Sequence, residues 1–280
     1  MTRDLFVGIG ERRYKIERAW GTLPQGMTFS GLTKLAVDRR GHVYALLRSN
    51  PPIVVFDGAG KFLRSWGEDT IPDGHGIFVT GDDRVLVVDR GGHRLLAYDT
   101  NGKLLFSIGD PKNPKHQAPF NHPTDVATAP NGDMYITDGY GNSNVHWFSA
   151  DGQHKRSWGQ RGHGPGDFMT PHGIWVLADG RVLVSDRENH RVQIFDPLGN
   201  YLTQWGNFFR PMDVYADADG LVYVSDQVPR LTVIAGQSGD VVGWCQPVPN
   251  IGHAVRGDPD GNLYCAEPRL PEVIRLTLLN

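Results

Sequence analysis

The sequence has few cysteines, no excess of positive charge and no long apolar run. Cys245 and Cys265 are the only cysteines in 280 residues, so disulfide bonds cannot hold a chain of this length together. Lys and Arg number 28 against 31 Asp and Glu, a net charge of −3. Nucleic acids and anionic membranes attract clustered basic residues, so neither is an expected partner. Residues 1–20 lack the apolar stretch of a signal peptide, which predicts a cytoplasmic protein.

Turn-forming residues are abundant, and they punctuate a pattern that occurs six times. Residues 85–109 and 182–206 match almost residue for residue, and 134–159 is a third copy. Looser copies cover 42–67, 221–245 and 262–279. Each copy has short runs rich in Val, Ile and aromatic residues, separated by turns such as Asp-Gly and Asn-Gly. Six copies of four short strands predict an all-β protein, a six-bladed β-propeller.

The ends of the chain predict how this ring closes. We expect one domain over residues 1–280, with blades that start near 31, 73, 122, 170, 210 and 250. Most copies end on a pattern such as KFLRSWG or NYLTQWG, but the last copy stops without it. Residues 14–21, YKIERAWG, carry the missing pattern. The N-terminal segment is therefore predicted to add the outermost strand of blade six, which removes an open sheet edge.

A column of equivalent positions carries the first chemical signal. Registering the copies on the turn after the innermost strand places one residue of each at the same height around the axis: Thr33, His75, Thr124, His172, Met212 and His253. Histidine occupies alternate blades, which are 120° apart, so three imidazoles point at one centre. This arrangement predicts a metal ion with three protein ligands and an open fourth position, as in catalytic sites. Zinc is the default ion, and other divalent transition metals suit the same ligands.

Three further side chains near the same mouth could act on a substrate. Arg48 and Arg187 end equivalent strands, and an arginine near a cationic metal favours a small-molecule substrate with an anionic group, most simply a carboxylate. A strand-end salt bridge is the alternative role of Arg187. Tyr140 lies in the glycine-rich bend DGYGNS, which either aims its phenol inward as an acid or base or packs it on a loop.

Longer segments extend these patterns to known families. The strand consensus, seen in DRENHRVQIFD, resembles the NHL repeat. Four segments resemble the peptidyl-α-hydroxyglycine α-amidating lyases: HPTDVA (122–127), TDGYGNSNV (137–145), GHGPGDFMTPHGI (162–174) and SDRENHRVQIF (185–195). The resemblance implies zinc ligands at His75, His172 and His253, a catalytic tyrosine at Tyr140 and arginines at Arg48 and Arg187.

The same resemblance implies a reaction, the cleavage of an N-acyl-α-hydroxyglycine into an amide and glyoxylate. Zinc would bind the α-hydroxyl group and lower its pKa, and Tyr140 would accept the proton. The alkoxide would then collapse to a carbonyl and expel the amide nitrogen, while Arg48 and Arg187 hold the carboxylate.

The sequence departs from the amidating-lyase family in two ways, which affect the expected calcium site and the expected substrate. The family favours Met-Pro-His-Asp around the third histidine, and its aspartate serves a structural calcium site. Here the segment is Ile251-Gly252-His253-Ala254; Ala254 cannot ligate an ion, which argues against calcium, and Ile251 changes a wall of the substrate site. The family's amidating members are secreted and disulfide-bonded, so a smaller α-hydroxy amide is an equally good substrate. We expect the loops around 110–122 and 159–170 to set specificity.

Two other functions use the same sequence features. A metal-dependent hydrolase would use metal-bound hydroxide to attack a small carboxylate-bearing amide or lactone, and it would put solvent oxygen into its product. A non-catalytic NHL binding platform would bind no stoichiometric metal, and it leaves the alternating histidines unexplained.

Overall fold

The computed structural model describes residues 4–250 and 252–279, and over these ranges it is almost entirely β-structure. Twenty-five strands and one short 3-10 turn, Arg187–Asn189, are present in the described residues. The strands form six sheets arranged as the blades of a propeller. This confirms the predicted fold class. None of the described residues forms a helix long and apolar enough to cross a bilayer.

The strand bounds follow the repeat. The first two strands are β1 (Leu5–Ile9) and β2 (Arg12–Trp20). Blade one contains β3 (Lys34–Val37), β4 (Val43–Leu46), β5 (Ile53–Phe56) and β6 (Phe62–Trp66). Blade two contains β7 (Gly74–Val79), β8 (Arg84–Asp89), β9 (Arg94–Asp99) and β10 (Leu104–Gly109). Blade three contains β11 (Asp125–Thr128), β12 (Met134–Asp138), β13 (Asn144–Phe148) and β14 (His154–Trp158).

The second half repeats the arrangement. Blade four contains β15 (Pro171–Val176), β16 (Val182–Asp186), β17 (Arg191–Phe195) and β18 (Tyr201–Trp205). Blade five contains β19 (Asp213–Ala216), β20 (Leu221–Ser225), β21 (Leu231–Ala235) and β22 (Val241–Cys245). Blade six contains β23 (Ala254–Gly257), β24 (Leu263–Glu267) and β25 (Glu272–Leu279). Within each blade, strands that follow one another in sequence pair antiparallel.

One type of turn recurs between strands because it combines an aspartate with a glycine. The Asp99 carboxylate accepts the backbone N–H of Asn101 at 2.8 Å and of Lys103 at 2.9 Å. Gly102 between them has φ +89°, a left-handed backbone conformation that residues other than glycine rarely adopt. The same carboxylate-to-backbone turn occurs at Asp38, Asp57, Asp196, Asp217 and Asp258.

The histidine of the repeat consensus links one blade to the next. His93 Nδ1 accepts the backbone N–H of His122 at 3.1 Å. His190 Nδ1 accepts the backbone N–H of Arg210, also at 3.1 Å. In each case the donor lies on the segment that enters the following blade. In these two blades the consensus histidine therefore also contributes a contact to the following blade.

The ring closes at blade six through the N-terminal segment, as predicted. β2 pairs with β25 over a ladder that runs from Arg13 opposite Leu279 to Trp20 opposite Val273. β1, which the repeat pattern does not predict, adds a fifth strand outside β2. Its side chains alone do not identify it, because Leu5 and Phe6 are exposed and the strand depends on pairing with β2.

Replacement of Tyr14 by Ala will test the closure. Tyr14 is fully buried in the hydrophobic core between blades five and six, so its loss should cost about 3–5 kcal/mol of unfolding free energy. Phe6→Ala is the matched control, because Phe6 lies on β1 and is 58% exposed; it should change stability by less than about 0.5 kcal/mol. Equal effects in denaturant titrations would contradict the proposed closure.

Candidate metal centre and its mouth

Three histidines from alternate blades meet on the propeller axis. The ring nitrogens that His75, His172 and His253 offer all lie within 4.8 Å of one another. The ring centroids form a nearly equilateral triangle with sides of 4.9, 5.2 and 5.5 Å. His75 and His172 are buried. The structure thus brings together the three predicted ligands.

The blades between them orient these rings. His75 Nδ1 donates to the carbonyl of Thr124 at 2.7 Å, and His172 Nδ1 donates to the carbonyl of Met212 at 2.7 Å. His253 Nδ1 donates to the carbonyl of Thr33 at 2.6 Å. A carbonyl can only accept, so each Nδ1 carries the proton and each Nε2 keeps its lone pair. The non-histidine members of the column therefore set the tautomer of the histidines.

The surroundings also keep the imidazoles neutral. Burial holds the pKa of His75 and of His172 well below the ordinary value, and the neighbouring histidines add to the effect. Burial lowers the pKa of His253 to about 4. Neutral rings with free Nε2 lone pairs are the form that ligates a metal. The donor set therefore fits a divalent ion, and the three histidines can hold a metal.

Tyr140 lies at the open side of this triangle. Its hydroxyl oxygen is 3.1 Å from Nε2 of His75 and 3.1 Å from Nε2 of His172. Gly139 permits this position, because a Cβ there would lie 2.0 Å from the carbonyl oxygen of Pro171. The bend thus aims the phenol inward, which was one of the two predicted orientations.

The predicted arginine Arg187 contacts Tyr140. Its Nη1 donates to the Tyr140 hydroxyl at 3.3 Å, and its guanidinium carbon lies 5.4 Å from the ring centroid. Arg187 Nε also pairs with Glu188 at 2.9 Å. Glu188 in turn accepts a bond from Arg210 at 2.5 Å. Both predicted roles of Arg187, contact with the site and a local salt bridge, are compatible with this geometry.

Arg48 reaches the mouth from blade one and shares a carboxylate with a residue that the sequence analysis did not select. Arg48 Nε pairs with Asp73 at 3.1 Å, and Arg90 Nε donates to the other oxygen of Asp73 at 2.7 Å. The Arg90 guanidinium carbon lies 5.2 Å from the Tyr140 ring centroid. Burial and the nearby Arg90 charge lower the pKa of Arg48. Arg90 occupies the same repeat position as Arg187, which is the signal that could have identified it.

A buried ionic layer, which the repeat pattern does not predict, lies next to the histidines along the axis. Lys34 Nζ donates to Asp125 at 2.7 Å and to Asp213 at 2.6 Å. Arg256 Nη1 donates to the second oxygen of Asp213 at 2.7 Å. All four side chains are at most 3% exposed. Lys34, Asp125 and Asp213 directly follow Thr33, Thr124 and Met212 in the chain, so these three charges come from the blades that lack a histidine. Arg256 comes from blade six, which carries His253.

Small residues on the other blades make room for these charges. A Cβ at Gly76 would approach Cα of Asp125 within 2.8 Å, and a Cβ at Gly173 would approach Cα of Asp213 within 2.9 Å. Ala254 is the corresponding residue after His253. The methyl side chain of Ala254 offers no atom that could ligate calcium. Ile251, predicted to alter a wall of the substrate site, lies outside the described residues.

Comparisons with known proteins agree with the repeat pattern. The NHL repeat family matches residues 120–148 and 168–195. The chain carries NHL repeats. NHL repeat-containing protein 3 of Homo sapiens is 34% identical over 216 residues, which are 70% of this chain and 60% of that protein. The probable peptidyl-alpha-hydroxyglycine alpha-amidating lyase pgal-1 of Caenorhabditis elegans is 30% identical over 189 residues, 58% of this chain and 54% of that protein.

Solved structures resemble this chain in its fold. A gluconolactonase from Xanthomonas campestris superposes with a TM-score of 0.74 over 100% of this chain and 96% of its own, at 14% identity. An identity this low supports the propeller architecture alone. The chain spans less than two thirds of the length of the curated relatives described above.

The metal content of the purified protein is the direct test of the centre. We expect about one divalent ion per chain by elemental analysis, and loss of the ion in His75→Ala, His172→Ala and His253→Ala. His154→Ala is the control, since His154 is exposed on blade three and should leave the ion bound. A wild-type chain that binds no metal even after reconstitution would rule the centre out.

Replacement of Lys34 by Met tests the ionic layer. Without the ammonium, two buried carboxylates lose a partner, and we expect about 3–5 kcal/mol of destabilisation. Lys103→Met is the control, because Lys103 is exposed in the turn after β9. Thermal unfolding of the two variants gives the comparison, and an unchanged midpoint for Lys34→Met would show that the layer does not stabilise the ring.

Proposed function

We propose that this chain is a zinc-dependent lyase that cleaves the C–N bond of an N-acyl-α-hydroxyglycine-type substrate into an amide and glyoxylate. The observation that carries the proposal is the position of Tyr140, whose hydroxyl lies 3.1 Å from two of the three candidate ligand nitrogens. Similarity to proteins named as peptidyl-alpha-hydroxyglycine alpha-amidating lyases, at 28–30% identity, supports the same reaction.

The metal and the tyrosine have different tasks in this reaction. A divalent ion held by Nε2 of His75, His172 and His253 would supply a Lewis acid for the α-hydroxyl group of the substrate. The Tyr140 oxygen lies beside the nitrogens that face the same centre; as the phenolate it would accept the proton of that hydroxyl and return it to the departing amide nitrogen. As the C–N bond breaks, the hydroxyl carbon becomes the aldehyde of glyoxylate and the amide nitrogen takes a proton. No water is consumed.

The arginines supply the binding of a carboxylate. Arg48 and Arg90 share one carboxylate, Asp73, and so carry a net charge of about +1 at this side of the mouth. Arg187 and Arg210 share Glu188 in the same way. Each guanidinium has five N–H donors, so donors remain for a substrate. Arg48 and Arg187 are the proposed anchors, and a small molecule with a carboxylate is the proposed partner.

A metal-dependent hydrolase is the second candidate, because the same three histidines and arginines could serve hydrolysis of a small carboxylate-bearing amide or lactone. The two reactions differ in whether an oxygen atom from water enters the product. Hydrolysis transfers an oxygen from water to the acyl product, whereas the lyase reaction does not.

Turnover of N-acetyl-α-hydroxyglycine in ¹⁸O-labelled water distinguishes the two. We expect glyoxylate and unlabelled acetamide, with glyoxylate trapped as its hydrazone during the assay, because the aldehyde exchanges oxygen with water. Tyr140→Phe should lower kcat by about 10²–10⁴-fold while it retains the metal. Label in a carboxylic acid product would instead support the hydrolase, and a metal-loaded chain without turnover of either substrate class would favour a binding platform.

A further inference from the structure

A small polar cavity lies immediately beside Tyr140. It has a volume of about 150 Å³ and lies between the loops that enter blades three and four. Its walls include His116, Gln117, Asn142, Arg161 and Thr170, and Tyr140 forms the side nearest the histidines. One water molecule occupies about 30 Å³ of the liquid. The cavity therefore accommodates a group of a few non-hydrogen atoms rather than a long peptide.

The first wall of this cavity is held by Asn142. Asn142 Nδ2 donates to the carbonyls of Lys115 at 3.0 Å and Ala118 at 3.2 Å, and its Oδ1 accepts the backbone N–H of Gln117 at 2.9 Å. Asn142 is itself buried and donates to Asp138 at 2.8 Å. The loop over 115–118 is thus fixed to the strand that precedes Tyr140.

The opposite wall is held by Arg191. Its guanidinium donates to the carbonyl of His163 at 3.0 Å, and to those of Gly164 at 2.8 Å and Asp167 at 2.9 Å. Arg191 is buried and pairs with Asp186 at 2.8 Å. The end of this loop is joined to the arginine side of the mouth, because the backbone N–H of Arg187 donates to the carbonyl of Thr170 at 3.2 Å. Both walls are therefore ordered before any ligand binds.

A positively charged residue, Arg161, is among those that line the cavity. Among the residues that the structure describes, none lies within hydrogen-bond or ion-pair distance of the Arg161 guanidinium. The arginines of the mouth differ, because Arg48 and Arg90 pair with Asp73 and Arg187 pairs with Glu188. Arg161 therefore has donors available for an anionic group in the cavity.

We propose that this cavity binds the amide side of the substrate and that Arg161 selects a short acyl group that ends in a carboxylate. The proposal rests on the proposed function, which puts the α-hydroxyl group at the histidines and leaves the scissile nitrogen next to Tyr140. The acyl group then extends into the adjoining cavity. The chemical class is a small dicarboxylic carbinolamide, which carries one carboxylate on the glycolate carbon and the other on the acyl group.

The activity test uses two N-acyl-α-hydroxyglycines, the glyoxylate adducts of malonamic acid and of propionamide. The acyl groups are similar in length and differ in charge. Arg161 is exposed, and an exposed ion pair contributes at most about 1 kcal/mol, or about fivefold. We expect about fivefold higher kcat/KM for the malonamic adduct, and we expect Arg161→Gln to remove this preference. Arg156→Gln, at an exposed arginine of β14, should retain the preference.

A binding measurement separates the subsite from the reaction. Malonamate and propionamide, the corresponding amide products, are titrated into wild-type protein and both variants by NMR at low ionic strength. Tighter binding of malonamate that Arg161→Gln abolishes supports the subsite, even if no adduct releases glyoxylate and the proposed function fails. Equal affinities for the two amides in the wild-type protein, or a preference that Arg161→Gln retains, would overturn the subsite.

Discussion

Lys34 extends its ammonium group along the propeller axis between the carboxylates of Asp125 and Asp213, and the rest of the interior is arranged around this contact. The three residues come from blades one, three and five. Arg256 adds blade six, and the backbone N–H of Ile174 on blade four donates to Asp125 at 3.2 Å. Charges buried this deeply require each other as partners. The layer therefore fixes how the innermost strands face one another, with solvent excluded beside the histidines.

The alternation of residue types around the axis follows from this layer. Blades one, three and five place a charged side chain next to a carbonyl that accepts a bond from a histidine. Blades two, four and six place a histidine next to Gly76, Gly173 or Ala254, which leave space for the charges. Each set of blades thus depends on the other. Removal of one ionic partner would disturb the orientation of the metal ligands as well as the stability of the ring.

The mouth of the site differs from the ionic layer, whose two positive and two negative side chains balance, because the mouth carries an excess of positive charge. Two arginines share Asp73 and two share Glu188, and Tyr140 lies between Arg90 and Arg187. Neutral imidazoles inside and a positively charged mouth outside are the charge distribution that the proposed anionic substrate requires. The cavity beside Tyr140 continues this charge through Arg161, which links the chemistry of the centre to the proposed choice of substrate.

The sequence by itself determined the propeller, its closure by the N-terminal segment and the alternating histidines. Each of these follows from the repeat, whose period assigns equivalent positions from one blade to the next. The sequence also indicated Tyr140, Arg48 and Arg187 as candidate site residues. Only the tertiary structure decided the partners of these residues. Lys34, Asp125 and Asp213 share one repeat position, but their residue types differ, and neither that position nor Asp73, Glu188 or Arg256 indicates which side chains pair. The pairs form between side chains that are distant in sequence and meet on the axis or at the mouth. Strand β1 and the cavity beside Tyr140 depend on such contacts too, which periodicity cannot report.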